Sequence, residues 1–223
     1  MMGGWLRVVG DLAHLLSLML LLRKMWSSAS CTGVSLKTQE LYLLVFVARY
    51  WDLFSNFYSV YNTIMKVLFI AATLAIVYLM RVRYAKSLSE CSAQDSLPRV
   101  YLIVPALLLA LVFNEEPDGF LSDPFEISWA FSIFLEAVAI LPQCVLNRAR
   151  NGLVDILTAD YVFCLGAYRL LYLLSWILRW AFDETYIHSW VAFLGGIVQT
   201  IFYCDFFYYY LLGKRNQALQ LPV

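Results

Sequence analysis

Long apolar runs alternate with short polar connections along the whole chain, and each run predicts a helix. The runs cover residues about 5–26, 38–58, 62–80, 97–113, 124–146, 159–180 and 189–212. A helix needs about 20 mostly apolar residues to cross a bilayer, so the pattern predicts an all-α membrane protein with seven transmembrane helices in one domain spanning 1–223. Pro105 makes the short fourth run the weakest span, and a tight turn is expected near Ser59–Asn62.

The seven predicted helices divide into two groups of three around a linker helix. Repeat one covers about 5–80, the linker helix about 97–113 and repeat two about 124–212. The first helix of each repeat leads to a turn, SCTGVSLKTQ at 30–39 and LPQ at 141–143, and the second carries one arginine near its centre, Arg49 or Arg169. Repeats of this kind, with ligands bound near the bilayer midplane, recur among transporters.

The fifth predicted helix carries charge at membrane depth. Glu126, Trp129, Ile133 and Glu136 are spaced i, i+3, i+7, i+10, so they share one helix face. A carboxylate at the bilayer centre is unfavourable by about 2.5–3.5 kcal/mol on insertion scales. We therefore expect both glutamates to face the interior of the bundle and to have partners there.

Other predicted helices carry polar stripes as well. These residues are Arg7, Asp11 and His14 on helix one; Arg49, Tyr50, Asp52 and Asn56 on helix two; Tyr168, Arg169, Tyr172, Trp176 and Arg179 on helix six; and Asp205 on helix seven. Four arginines stay protonated in any environment, which favours a lumenal, water-filled cavity for a ligand with several carboxylates. Glu126 and Trp129 suit a cationic end of that ligand. The alternative, ion pairs that only hold the bundle together, stays open for Asp11, Lys66 and Asp205.

His14 is the titratable group of this set that changes charge near neutral pH. With a reference imidazole pKa of about 6.5, acidification from about 7.2 by one unit raises the protonated fraction from roughly 17% to roughly 67%. We predict that His14 is a pH switch, with Glu136 as the candidate counter-charge. The alternative is a packing histidine with a satisfied hydrogen bond.

Composition agrees with a membrane protein, because 62% of residues are hydrophobic and 14% charged, against about 25% charged in soluble domains. The net charge of zero gives no indication of nucleic-acid binding. Five scattered cysteines without a CxxC pair predict neither a disulfide framework nor a metal site. No catalytic motif is found, so we expect neither an enzyme nor a cofactor.

Most of the 16 lysines and arginines lie at one set of helix ends. The positive-inside rule places those ends in the cytosol, which predicts a lumenal N-terminus and a cytosolic tail at 213–223. The first apolar run is not expected to be a cleaved signal peptide, because it contains Asp11 and His14.

Several long motifs resemble the ER lumen protein-retaining receptor (KDEL receptor) family nearly end to end. They are GDLAHLL (10–16), SCTGVSLKTQ (30–39), ARYWDLFSNFYSVYNTIMKV (48–67), FSIFLEAVAILPQ (131–143), AYRLLYL (167–173) and VQTIFYCDFFYYY (198–210). That family is similar in fold to the PQ-loop and SWEET transporters, in agreement with the two repeats.

The resemblance implies a receptor of the ER and Golgi that binds C-terminal KDEL- or HDEL-like tails of escaped ER lumenal proteins. Such tails are addresses that a receptor recognises. Binding in the acidic Golgi, release in the neutral ER and return in retrograde vesicles with the COPI coat are implied too. A proton-coupled small-solute transporter of the PQ-loop type and a structural scaffold remain the alternatives; four arginines favour a polyanionic peptide end over a sugar.

By motif match, Arg49 contacts the terminal carboxylate, while Arg7, Arg169 and Arg179 bind the acidic residues and orient the ligand. Asp52, Glu126 and Trp129 contact the basic residue fourth from the end, and His14 senses protons together with Tyr168 and Glu136. The remaining implied ligand-binding residues are Tyr50, Asn56, Tyr172 and Trp176. Asp205 is implied in the return step, and Lys214 and Arg215 in coat recruitment. The chain departs from the family at Ser175, where an asparagine is usual, and in its shorter cluster of basic residues in the tail.

Overall fold

The computed structural model describes residues 4–54, 57–91, 94–114, 123–150, 156–183 and 189–216, with the side chains of 54, 90–91, 205 and 209–216 left aside. This part of the chain contains nine α-helices and no strand. In chain order they are α1 (Gly4–Ser28), α2 (Leu36–Arg49), α3 (Val60–Tyr78), α4 (Ala85–Cys91), α5 (Val100–Val112), α6 (Pro124–Val138), α7 (Leu141–Ala149), α8 (Ile156–Phe182) and α9 (Trp190–Asn216).

Four helical stretches are long and apolar enough to cross a membrane. They are Gly4–Ser28, Val60–Arg83, Pro124–Ala149 and Ile156–Phe182, and shorter apolar helices cover Val100–Val112 and Trp190–Cys204. The prediction of an all-helical chain with membrane-length helices is therefore confirmed. The seven spans and the division into two repeats with a linker helix stay predictions.

The second predicted helix, 38–58, is too long. Its helix, α2, ends at Arg49 and is followed by a 3₁₀ turn at Trp51–Phe54. The next helix begins at Val60, where the Ser59 hydroxyl accepts a hydrogen bond from the Asn62 amide at 3.2 Å. The turn expected at Ser59–Asn62 is thus a capped helix start, since a serine oxygen satisfies an amide that the first turn leaves open.

The LPQ motif does not form the predicted turn. The chain turns at 139–140, and Leu141–Gln143 opens α7. Pro142 has no N–H to donate to the carbonyl four residues before it, so an uninterrupted helix loses a bond there. The sequence prediction also missed α4, and α9 continues to Asn216, beyond its predicted end at 212.

The chain forms two compact units. One comprises Met1–Lys24 and Asn147–Val223, and the other Met25–Leu146. In the second unit, α2 packs against α3 and α6, and α5 packs against α6. In the first, α8 packs against α9. The first turn of α8 also contacts the last turns of α1, where the buried Lys24 ammonium donates to the Thr158 hydroxyl at 2.8 Å.

Gly166 sets the close approach of α8 and α9. A Cβ atom at this position would lie 2.5 Å from Phe207 Cζ and 2.8 Å from Tyr203 Cδ1, closer than any van der Waals contact. Tyr203 is buried, so its ring has little room to move away in a close-packed interior.

We expect Gly166→Ala to lower the thermal unfolding midpoint of the purified protein, although alanine favours helices by roughly 1 kcal/mol over glycine. Overpacking of a filled core opposes that gain, by about 1–3 kcal/mol. Gly4→Ala is the matched control, because a Cβ at Gly4 meets nothing within 4 Å. A higher midpoint for Gly166→Ala than for the wild type would contradict the expected clash.

Candidate functional site

Glu136 is paired with Arg49 in the unit formed by Met25–Leu146. Glu136 is buried, with 1% of its side chain exposed, and it forms an ion pair with the Arg49 guanidinium, which is 16% exposed. The Arg49 Nε–H also donates to the Ser132 hydroxyl oxygen at 3.1 Å. The arginine that ends α2 is therefore held by two residues of α6, one turn apart.

One face of α6 fastens the last turn of α2. Ser128, Ser132 and Glu136 are four residues apart, so they share a face. The Ser128 hydroxyl donates to the Ala48 carbonyl oxygen at 2.9 Å, directly before the arginine that binds the other two. These bonds satisfy part of the open C-terminal end of α2 and fix the direction of the Arg49 side chain.

Asp52 and Lys66 form a second ion pair in the same unit. The Lys66 ammonium lies 2.8 Å from both carboxylate oxygens of Asp52. The same ammonium lies 5.5 Å from the ring centroid of Tyr50 and 5.4 Å from that of Tyr58, within cation–π range. A lysine of the apolar helix α3 thus holds a carboxylate of the 3₁₀ turn.

The half-buried Glu126 and Trp129 lie in the early turns of α6. That end of the helix contacts the 3₁₀ turn, since the rings of Phe125 and Trp51 meet edge to face at 6.1 Å between centroids. Phe125 and Trp51 are the sequence neighbours of Glu126 and Asp52. The structure therefore brings the two predicted acidic segments of this unit together.

The Tyr168 ring contacts two basic residues of the unit formed by α1, α8 and α9. The His14 imidazole stacks on it with 4.1 Å between ring centroids and 3° between planes. The Arg169 guanidinium carbon lies 4.9 Å from the same ring centroid. His14, Tyr168 and Arg169 are all buried, so the imidazole and the guanidinium contact one shared ring in an environment of low polarity, where charges interact more strongly than in water.

Tyr168, Tyr172 and Trp176 form a ladder of rings along α8. The rings meet edge to face, with 6.1 Å between the first two centroids and 5.8 Å between the second two. The Tyr172 hydroxyl donates to the buried Asp11 carboxylate. Gly10 allows this approach of α1, because a Cβ there would lie 2.8 Å from Tyr172 Cδ2.

The predicted site residues fall into both units. Arg7, Asp11, His14, Tyr168, Arg169, Tyr172, Trp176 and Arg179 belong to one, and Arg49, Tyr50, Asp52, Glu126, Trp129 and Glu136 to the other. Arg7 is exposed and Arg179 half-buried. Asn56 and the side chains of Asp205, Lys214 and Arg215 lie outside the described residues. The coupling of His14 and Tyr168 to Glu136 stays a prediction.

Sequence reasoning missed the partners of several predicted residues. Ser128 and Ser132 resemble ordinary small residues of an apolar helix. No feature of the neighbouring sequence indicates that they form hydrogen bonds with the end of α2. Lys66 did carry a signal, because a lysine within the apolar run 62–80 requires a counter-charge. Its partner Asp52 lies 14 positions away, across the break between two helices, so periodicity does not connect them.

The two turn motifs meet in one hydrogen-bonded network. The buried Gln143 side chain accepts from the Ser35 amide and donates to the Gly33 carbonyl oxygen, both at 2.8 Å. Gly33 has φ 84°, a left-handed conformation that favours glycine. The Ser35 hydroxyl also donates to the buried Asp95 carboxylate at 2.8 Å. Among the described residues, no group of three His, Cys, Asp or Glu side chains could hold a metal ion.

Comparison with known proteins places the chain in a family. The family model described as "ER lumen protein retaining receptor" matches residues 30–179. The chain is 49% identical to the ER lumen protein-retaining receptor of Petunia hybrida, covering 97% of this chain and 98% of the relative. Receptor A of Arabidopsis thaliana is also 49% identical with the same coverage, and receptor 3 of Mus musculus is 44% identical over 97% of each chain. The chain therefore belongs to the ER lumen protein-retaining receptor family.

Proposed function

We propose that this protein is a receptor of the secretory pathway that binds the C-terminal KDEL- or HDEL-like tail of escaped ER lumenal proteins and returns them to the ER. Family membership over nearly the whole chain supports a receptor that retains ER lumenal proteins, as its relatives are named. The tetrapeptide, the pH dependence and the return route belong to the proposal. Each is supported by the chemistry of particular residues.

The charges of the Met25–Leu146 unit suit both ends of such a tail. We propose that Arg49 binds the terminal carboxylate, because a guanidinium forms two parallel bonds to a carboxylate. Its ion pair with Glu136 then has to open or be shared when the ligand binds. Asp52, Glu126 and Trp129 contact the basic residue fourth from the end by charge and cation–π attraction, and Tyr50 and Asn56 complete this set.

The unit formed by α1, α8 and α9 contributes Arg7, Arg169 and Arg179 for the acidic residues of the tail, with Tyr172 and Trp176 beside them. The contact of both His14 and Arg169 with the Tyr168 ring is the observation that carries the pH dependence. An anionic ligand that neutralises Arg169 removes repulsion against a protonated His14. Protonation and ligand binding therefore favour each other, since linkage acts in both directions.

The return step rests on residues outside the described side chains. We propose that Asp205 couples the ligand-bound state to sorting, and that Lys214 and Arg215 contact the COPI coat from the cytosol. The excess of lysine and arginine at one set of helix ends supports a lumenal N-terminus and a cytosolic C-terminus. In this arrangement the receptor binds the C-terminal peptide of its cargo protein in the Golgi lumen and releases it in the lumen of the ER.

We expect the purified full-length chain to bind a labelled peptide ending in KDEL or HDEL tightly at pH 5.5 and more weakly at pH 7.5. The same peptide with an amidated C-terminus is the control, because it lacks the carboxylate that Arg49 recognises. Fluorescence anisotropy in detergent micelles gives both affinities. Absence of binding at every pH, in protein that unfolds cooperatively on heating, would contradict the receptor proposal and favour solute-transport assays instead.

A further inference from the structure

We propose that Lys66 is a built-in competitor for the basic residue of the tail, and therefore sets how strongly the protein prefers a cation at the fourth-from-last position. The proposal rests on the proposed function, in which Asp52 contacts that basic residue. Its structural basis is the contact of the Lys66 ammonium with both Asp52 carboxylate oxygens at 2.8 Å. A ligand ammonium that approaches Asp52 meets a carboxylate that already holds one cation.

The Lys66 ammonium is held on the inner side of this pair. Its side chain is 9% exposed, whereas that of Asp52 is 24% exposed. Tyr50 and Tyr58 both present their rings to the same ammonium, at 5.5 and 5.4 Å. A lysine with few exposed atoms and two aromatic faces is fixed in position, and the more accessible partner is the carboxylate. A second cation can therefore reach Asp52 while Lys66 stays in place or is displaced.

The charge of Lys66 is expected to weaken the binding of a ligand cation to Asp52. A positive charge next to Asp52 lowers the attraction of this carboxylate for a further cation, and the effect is larger in a partly buried site than in water. Without Lys66, Asp52 attracts the ligand's basic side chain more strongly. A neutral side chain at the same ligand position gains nothing from the change. The difference between a charged and a neutral ligand therefore isolates the action of Lys66.

This arrangement has a use for a retention receptor. Tails that differ at the fourth-from-last position bind with more similar affinities when the acidic partner is already partly neutralised. The ordinary structural explanation is that the pair only fastens the 3₁₀ turn Trp51–Phe54 to α3. That explanation predicts an equal loss of affinity for every ligand when Lys66 is replaced, because a displaced turn harms all of them.

The test compares two peptides on the full-length protein at pH 5.5. One ends in KDEL, and the other carries acetyl-lysine in place of that lysine, which keeps the four-carbon stem, adds an acetyl group and removes the charge. In Lys66→Met we expect roughly tenfold tighter binding of the KDEL peptide, the size typical of one added close charge contact. The acetylated peptide should change by less than about twofold. Lys66→Arg, which keeps the cation, should retain the wild-type ratio of the two affinities.

Equal weakening of both peptides in Lys66→Met, or weaker binding of KDEL relative to its acetylated form, overturns the proposal and leaves Lys66 as a structural fastener. If Lys66→Met does not fold, Lys66→Gln carries the same comparison, because glutamine is neutral and can still donate to Asp52. Failure of the wild type to bind either peptide overturns the receptor function and this inference together. An unchanged affinity ratio in a variant of a binding-competent protein overturns this inference only.

Discussion

Replacing Arg49 with methionine is expected to lower the free energy of unfolding by about 3–5 kcal/mol, the cost of removing one partner of a buried ion pair. The variant leaves Glu136 in the protein interior, with 1% of its side chain exposed, without its guanidinium. It also removes the donor to Ser132. Thermal and denaturant unfolding of the purified protein in detergent micelles measure the loss.

The double variant Arg49→Met with Glu136→Gln is expected to recover more than half of this loss, because the amide carries no charge to desolvate. Arg81→Met is the matched control. Arg81 pairs with Glu40 and is 59% exposed, and such surface pairs contribute only about 0–1 kcal/mol. Wild-type stability of Arg49→Met, or no recovery in the double variant, would show that the pair contributes little to folding.

The same double variant separates the receptor from a structural scaffold. If Arg49 binds the terminal carboxylate of the tail, the double variant regains stability but not peptide affinity. A scaffold role predicts that binding returns with stability. Measured against Glu136→Gln alone, which carries the same change at the predicted pH switch, the double variant assigns Arg49 to ligand recognition or to packing without relying on a poorly folded single variant.

Replacing His14 with phenylalanine is expected to abolish the pH dependence of peptide binding and to leave the weak, neutral-pH affinity at every pH. The phenyl ring keeps the stack on Tyr168, which has 4.1 Å between ring centroids, but it has no proton to gain. Histidine is the side chain that ordinarily changes charge near neutral pH. Binding that requires the protonated imidazole is therefore expected to be several-fold tighter at pH 5.5 than at pH 7.5.

The direction of the pH dependence follows from the protonation state of His14 that the ligand-bound form favours. Protonation of His14 stabilises the ligand-bound state, so affinity is highest below the imidazole pKa and falls as pH rises through it. Tyr172→Phe is the control, since it removes the hydroxyl that donates to Asp11 without removing a group that titrates between pH 5.5 and 7.5. The Tyr172→Phe variant should keep the change of peptide affinity with pH, even if its affinity at each pH differs from that of the wild type. A preserved slope in His14→Phe would transfer the proton-sensing role to another group and leave the receptor function intact.

The polar positions that the sequence singled out are buried to different extents. Spacing at helical intervals predicted that Glu136, His14 and Arg169 lie on helix faces that point into the protein, and all three are buried. Arg7 fits the same spacing on α1 but is exposed. The period of a helix tells which residues share a face, whereas burial depends on what packs against that face.

Helix boundaries were less predictable than helix existence. Hydropathy continues across Tyr50–Phe54 and across Ala139–Ile140, so a sliding window joins segments that the backbone separates. At the first place a 3₁₀ turn presents Asp52 to Lys66. At the second, Pro142 interrupts the hydrogen-bond ladder. The second break depends on a single residue, and an average over 20 positions conceals its effect.

The amino-acid pattern alone identified a helical membrane protein of the ER lumen protein-retaining receptor family, and it identified the charged residues that lie within apolar helices. The packing of the helices was needed to show how these charges are paired: Glu136 with Arg49, Asp52 with Lys66, and Asp11 with the Tyr172 hydroxyl. The physical reason is that a buried charge requires a partner whatever its position along the chain. The identity of that partner depends on which helices pack together, and these pairs join residues from 14 to 161 positions apart.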